Sequence, residues 1–241
     1  MSNAPVLISG ELNRMKKYHI LSASLVTALI WIGVLYFIDI GDVTLVFPLL
    51  LFIDVTTMSA LLVGVSMFFE KQEGSIKSLL IAPISKDEYI LAKTFGNIFT
   101  NLFTLTLLYL YVRFFKEIHL NILAMVIVVI FLAILYSLLG FLLTYSARDF
   151  TGMLMGLVKY ALILILPVVL EQVGMIQNQV IKYLLFLLPT KSTLLLLLAP
   201  AGGVEIWKII VSIIYTLLAI GIALILARKK FAEYAVRESG V

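Results

Sequence analysis

The sequence predicts an all-α integral membrane protein with six transmembrane helices, on three observations. Hydrophobic residues make up 62% of the 241-residue chain and charged residues 13%, with a mean hydropathy of +1.12. Ordinary globular proteins carry roughly 45–50% and about 25%, so too little polar surface is left here to cover a water-soluble core. Six separate segments also reach the ~20 apolar residues needed to cross ~30 Å of hydrocarbon. Finally, Lys and Arg gather between alternate segments, as they do on the cytoplasmic side of membrane proteins.

The elements follow in order. Residues 7–19 form a basic amphipathic helix, with Ile8, Leu12, Met15 and His19 on one face and Arg14, Lys16 and Lys17 elsewhere. Such a helix lies in the membrane interface. Spans are expected at 20–38, 44–69, 94–112, 120–144, 152–170 and 206–227. With the N-terminus inside, twelve of the 18 Lys and Arg fall on inner segments and five on outer ones, with Lys159 inside a span. Both termini are therefore expected to be cytoplasmic and the protein to be multi-pass in the cell membrane. No cleavable signal is expected, because no apolar run precedes Ile20.

The segment 173–203 is open to two readings. Its apolar runs, 180–188 and 192–198, are interrupted by Pro189, Thr190, Lys191 and Ser192. Each is about half a bilayer long as a helix, and proline breaks helices. A seventh, kinked span would carry the basic tail of Arg228, Lys229, Lys230 and Arg237 outside, against the charge rule. Two short re-entrant or interfacial helices on the outer side keep that tail inside, and this reading is favoured.

The segment 70–89 is the most informative. Gly74 and Ser75 offer a turn and an N-cap, and Ile76, Leu79 and Leu80 recur at helical spacing before Pro83 stops the helix. Ser85 with Glu88 then makes a capping box that starts the third span. These features predict a short helix on the cytoplasmic membrane surface, a break, and a second helix. A solvated charged loop with an amphipathic tether is the plainer alternative.

Glu70, Gly74, Ser75, Ile76, Leu79, Leu80, Pro83, Ile84, Ser85, Tyr89 and Lys93 stand ungapped over 24 residues. This pattern resembles the one that follows the second span in permease subunits of ABC type-2 exporters, including multidrug and fluoroquinolone efflux permeases. The layout of the whole chain agrees with the resemblance. It implies that residues 70–83 are a coupling helix docking on a separate ABC ATPase subunit, with Glu70, Glu73, Gly74, Ser75, Lys77, Leu79, Leu80 and Pro83 at that contact. Glu70, Glu73 and Lys77 would supply rim charges. Residues 7–19 would be the connecting helix that braces it. The implied assembly pairs two permease chains, the same or homologous, with two ATPase chains. ATP and magnesium belong to the ATPase, and a drug, peptide or lipid-like amphiphile would leave the cell between the permeases.

The chemistry absent from the sequence agrees. No glycine precedes a lysine, so there is no P-loop, and H-E-x-x-H does not occur. The chain has no cysteine and two histidines, His19 and His119, which excludes thiolate sites and a histidine-rich metal centre. No catalytic, cofactor or metal residue is expected on this chain. A net charge of +4, clustered beside apolar segments, does not point to nucleic acid.

Two ionisable residues fall inside spans, Asp54 in the second and Lys159 in the fifth. Such residues are costly there and are functional candidates by default. They are expected either to pair within the bundle, to face a lumen, or to touch substrate. A proton- or ion-coupled carrier built on Asp54 and Lys159, or a non-transport membrane scaffold, is the competing reading. Gly64, Gly96, Gly140, Gly152, Gly156 and Gly221 are expected to permit close helix approach.

Overall fold

The computed structural model describes residues 4–38, 41–74 and 85–239. Its helices are α1 (Ala4–Lys17), α2 (Ile20–Phe37), α3 (Val46–Gln72), α4 (Lys86–Phe115) and α5 (Ile122–Ser146). There follow α6 (Phe150–Tyr160), a π turn (Ala161–Ile165), α7 (Leu166–Gln172), α8 (Gln179–Leu185), α9 (Pro189–Leu198) and α10 (Ile206–Ser239). Among the described residues, six helices are long and apolar enough to span a membrane: α2, α3, α4, α5, the continuous α6–α7 stretch Phe150–Gln172, and Ile206–Phe231 of α10. They match the six expected segments in order. Several run past the hydrocarbon lengths read from sequence, because flanking polar residues continue the helix once caps and partners satisfy them.

The third span begins at Lys86, eight residues before the apolar run. Its start is the expected capping box: the Glu88 backbone N–H donates to Ser85 Oγ at 3.2 Å, and the Ser85 N–H donates to Glu88 Oε2 at 3.0 Å. Two orphan donors are thereby satisfied. The N-terminal helix differs in its face. The residues that bury are Leu7, Glu11 and Met15, while Ile8 and Leu12 are half-buried and His19 is exposed. His19 takes a left-handed φ of 55° and breaks the chain between α1 and α2.

The bent pair α8–α9 turns through 92° between the fifth and sixth spans, as a re-entrant hairpin would. Here the position of the break is corrected. Pro189 to Ser192 are not the interruption but the first turn of α9, because proline lacks only an N–H that a first turn leaves unbonded anyway. Thr190 to Leu198 are buried throughout, so α9 enters the bundle. Thr190, Lys191 and Thr193 at its start all have partners. Thr190 Oγ1 donates to the Leu164 carbonyl in the π turn, Lys191 pairs with Glu171, and Thr193 shares a hydrogen bond with Tyr136 at 2.7 Å. The hairpin closes on the fourth span through the Asn121 N–H, which donates to the Pro200 carbonyl at 2.9 Å.

Close approach of α3 and α5 depends on Gly140. A Cβ there would stand 2.9 Å from the Ala60 carbonyl oxygen and 3.0 Å from the Ala60 Cα, and backbone cannot yield as a side-chain tip can. Gly140→Ala is expected to destabilise by about 1–3 kcal/mol, read as a lower melting temperature in detergent. Of the other glycines expected to pack, Gly152 and Gly221 do not bring a neighbouring helix close: a Cβ on Gly152 would meet its own turn, and one on Gly221 meets nothing within 4 Å.

Candidate functional site: an ionic cluster flanking the 73–85 segment

One buried cluster joins α1, α3 and α4 at the end of the bundle that carries α1. Lys93 Nζ on α4 lies 2.7 Å from Glu70 Oε1 on α3 and 2.9 Å from Glu11 Oε1 on α1, and also donates to Ser66 Oγ. The side chains of Lys93, Glu70 and Glu11 are 1%, 3% and 4% exposed. Arg14 Nε adds a contact of 2.9 Å to Glu70 and its Nη2 one of 2.9 Å to Glu11. Two carboxylates thus face two cations, and no charge is left uncompensated. Breaking such an arrangement from one side leaves a buried charge without a partner, which costs far more than the pair contributes.

The cluster extends along α4. Tyr89 donates its hydroxyl to Glu70 Oε2 at 2.9 Å. The same ring packs against Phe141 of α5 and Phe231 of α10, with centroids 6.2 Å and 5.8 Å away. Deeper along the α3–α4–α5 seam, Asn101 donates to Ser59 at 2.9 Å and Asn97 to Ser137 at 2.7 Å. Span three therefore presents one polar stripe to its neighbours from Lys93 inward.

Beyond Glu70 the helix ends. Gly74 adopts φ 69°, a left-handed C-terminal stop that glycine takes without a steric penalty. Glu73 accepts from Lys17 at 2.7 Å and from the Tyr18 hydroxyl at 3.0 Å, and Tyr18 stacks on Phe69. The hydrogen bond from Lys17, aided by that from Tyr18, holds the exposed Glu73 carboxyl below its ordinary range. This link to α1 contributes above the unfolded carboxyl value and is lost as pH falls through the depressed folded one. The difference in thermal stability between the parent and Glu73→Gln is accordingly expected at neutral pH and to vanish in acid.

Of the residues expected at a coupling contact, Glu70, Glu73 and Gly74 lie within the described chain. Ser75, Lys77, Leu79, Leu80 and Pro83, with most of the 70–83 segment, lie outside the described residues. Glu70 is not a rim charge: it is buried, because Lys93, Arg14 and Tyr89 converge on it. Glu11 was not anticipated. Its only local signal is the spacing Leu7, Glu11, Met15 with Arg14 three residues on. Asp54 and Lys159 do not pair. The Trp31 indole N–H donates to Asp54 Oδ1 at 3.0 Å, while Lys159 is exposed on α6. Asp54 is buried within the bundle, whereas Lys159 is on its outer surface.

A family model described as the fluoroquinolones export permease protein family matches residues 4–239. The chain belongs to that family. Two similar relatives are each described as a fluoroquinolones export permease protein of Mycobacterium tuberculosis, one from strain CDC 1551 / Oshkosh and one from ATCC 25618 / H37Rv. Each is 27% identical over 233 residues, covering 96% of this chain and 95% of its own. The permease is thus a membrane transport component, multi-pass by its six apolar helices. In this permease the motif residues Glu70, Tyr89 and Lys93, which flank residues 75–84 in sequence, meet in one cluster in space.

Proposed function

We propose that this permease is the membrane-spanning half of an ATP-driven exporter, moved by a separate ABC ATPase subunit that docks on the 73–85 segment. Two permease chains, identical or homologous, would enclose the route, because six spans are few for one chain to surround an amphiphile. The cargo is a fluoroquinolone-like drug, a reading supported by the names of the relatives. The excess of Lys and Arg at the α1 end supports placing that end, with both termini, in the cytoplasm of a plasma-membrane protein.

The observation that carries this reading is the ionic cluster. The 73–85 segment follows α3 soon after Glu70 and precedes α4 just before Tyr89 and Lys93, and both of these bond to Glu70. Glu11 and Arg14 fasten α1 to the same point. Force applied to this segment therefore reaches spans two and three and the N-terminal helix as one body, a rigid-body input of the kind that drives domain rearrangement.

Co-purification tests the docking. The parent chain is expected to retain its ABC ATPase subunit when the two are produced together. Gly74→Pro imposes a φ near −65° where the chain needs 69° and is expected to abolish retention, as is Glu73→Lys, which opposes Lys17. Full retention by both variants, folded and at parent expression, would sink the docking assignment.

A further inference from the structure

The separation of Asp54 from Lys159 leaves one intramembrane charge without a role. Lys159 is the tenth residue of the 23-residue span Phe150–Gln172, close to its midpoint. Among the described residues it has no hydrogen-bond or ion-pair partner. Its side chain is exposed at the centre of a stripe formed by Met155, Val158, Leu162, Ile163 and Leu166, which are 43–64% exposed. These positions recur at intervals of three and four, so they form one helix face. The next turn, Ala161–Ile165, is π-helical, a distortion concentrated at functional sites.

A lysine at this depth is strongly disfavoured against acyl chains, and such residues face a bundle interior or a water-filled cavity. Lys159 does not face the interior of its own chain. The remaining aqueous surface is the route between two permeases, so this inference rests on the export reading above. Across a two-fold pair, two ammonium groups would oppose each other over the route, an arrangement that selects anions. A fluoroquinolone carries a carboxylate on a flat apolar ring system. The ammonium complements the first, and the Met, Val, Leu and Ile stripe complements the second.

We propose that Lys159 lines the export route and binds the carboxylate of the transported amphiphile, making it a determinant of substrate selection. Because the permease has no cysteine, Lys159→Cys introduces its single thiol. In the complete exporter in native membranes, this thiol is expected to react with a water-soluble methanethiosulfonate at least about tenfold faster than Ile214→Cys, which lies on the exposed face of the sixth span. A fluoroquinolone acid is expected to slow the reaction and its methyl ester to leave it unchanged. In transport, Lys159→Gln is expected to raise the half-saturating concentration of the acid about tenfold, the loss of one charged hydrogen bond, without moving that of the ester. Lys159→Arg is expected to restore the parent value.

Labelling no faster than at Ile214→Cys would place Lys159 against lipid and overturn the proposal. So would equal effects of Lys159→Gln on acid and ester, or a reaction that the acid does not slow. Failure of the unmutated exporter to carry either drug would instead refute the export reading, and labelling would still decide whether Lys159 meets water.

Discussion

Lys93→Met is expected to destabilise the permease by about 3–5 kcal/mol, the range for removing one partner of a buried ion pair. The substitution keeps length and packing but leaves Glu11 and Glu70, both nearly sealed from solvent, sharing Arg14 alone. Arg14 is on the surface side of the cluster, with 24% of its side chain exposed, and cannot replace an ammonium seated between the two carboxylates. The melting temperature in detergent reads the loss. Pairing the change with Glu70→Gln removes one of the two stranded carboxylates and is expected to recover part of the stability, a coupling that a double-mutant cycle measures directly. Strictly additive losses would mean that the two residues do not interact. At temperatures where Lys93→Met remains folded, export is expected to fall as well, because α1 and the facing ends of α3 and α4 no longer move together.

Glu171→Ala is the second large effect. It removes the partner of Lys191, whose side chain is 7% exposed in the first turn of α9. The uncompensated ammonium then sits beside Leu194 and its buried neighbours, at a cost again of about 3–5 kcal/mol. Relief comes only if α9 withdraws from the bundle. Withdrawal would also free the Leu164 carbonyl from Thr190 and Tyr136 from Thr193. Lys191→Met is expected to be much milder, since it removes the buried charge itself and leaves a carboxylate nearer the surface. In thermal denaturation a seated hairpin puts Glu171→Ala well below Lys191→Met, whereas a loose one makes the two variants alike.

The legibility of these features follows the distance between the groups that make them. A transmembrane span is a local apolar run, so all six could be read from composition. The Ser85–Glu88 box needs only four residues, and it is present as expected. Glu11 could not be read, because its cation, Lys93, lies 82 positions away, and an acid on the buried face of an amphipathic helix looks like an error until that cation is known. Asp54 and Lys159 illustrate a different limit. Hydrophobic length gives depth along a span but not azimuth around the bundle, and two charges at one depth face different neighbours according to how the helices pack. Pro189 could be read as a break or as a first turn, since the same missing N–H serves both; the burial of Thr190, Lys191 and Ser192 decides between them.

The central claim is that this chain is a passive permease, worked by an engine it does not contain. Transport into inside-out proteoliposomes tests it most directly, using the permease with and without its ATPase. Fluoroquinolone uptake is expected only when both proteins and ATP are present, and is expected to persist when the proton gradient is collapsed. Uphill uptake by the permease alone, following an imposed proton gradient without ATP, would contradict it.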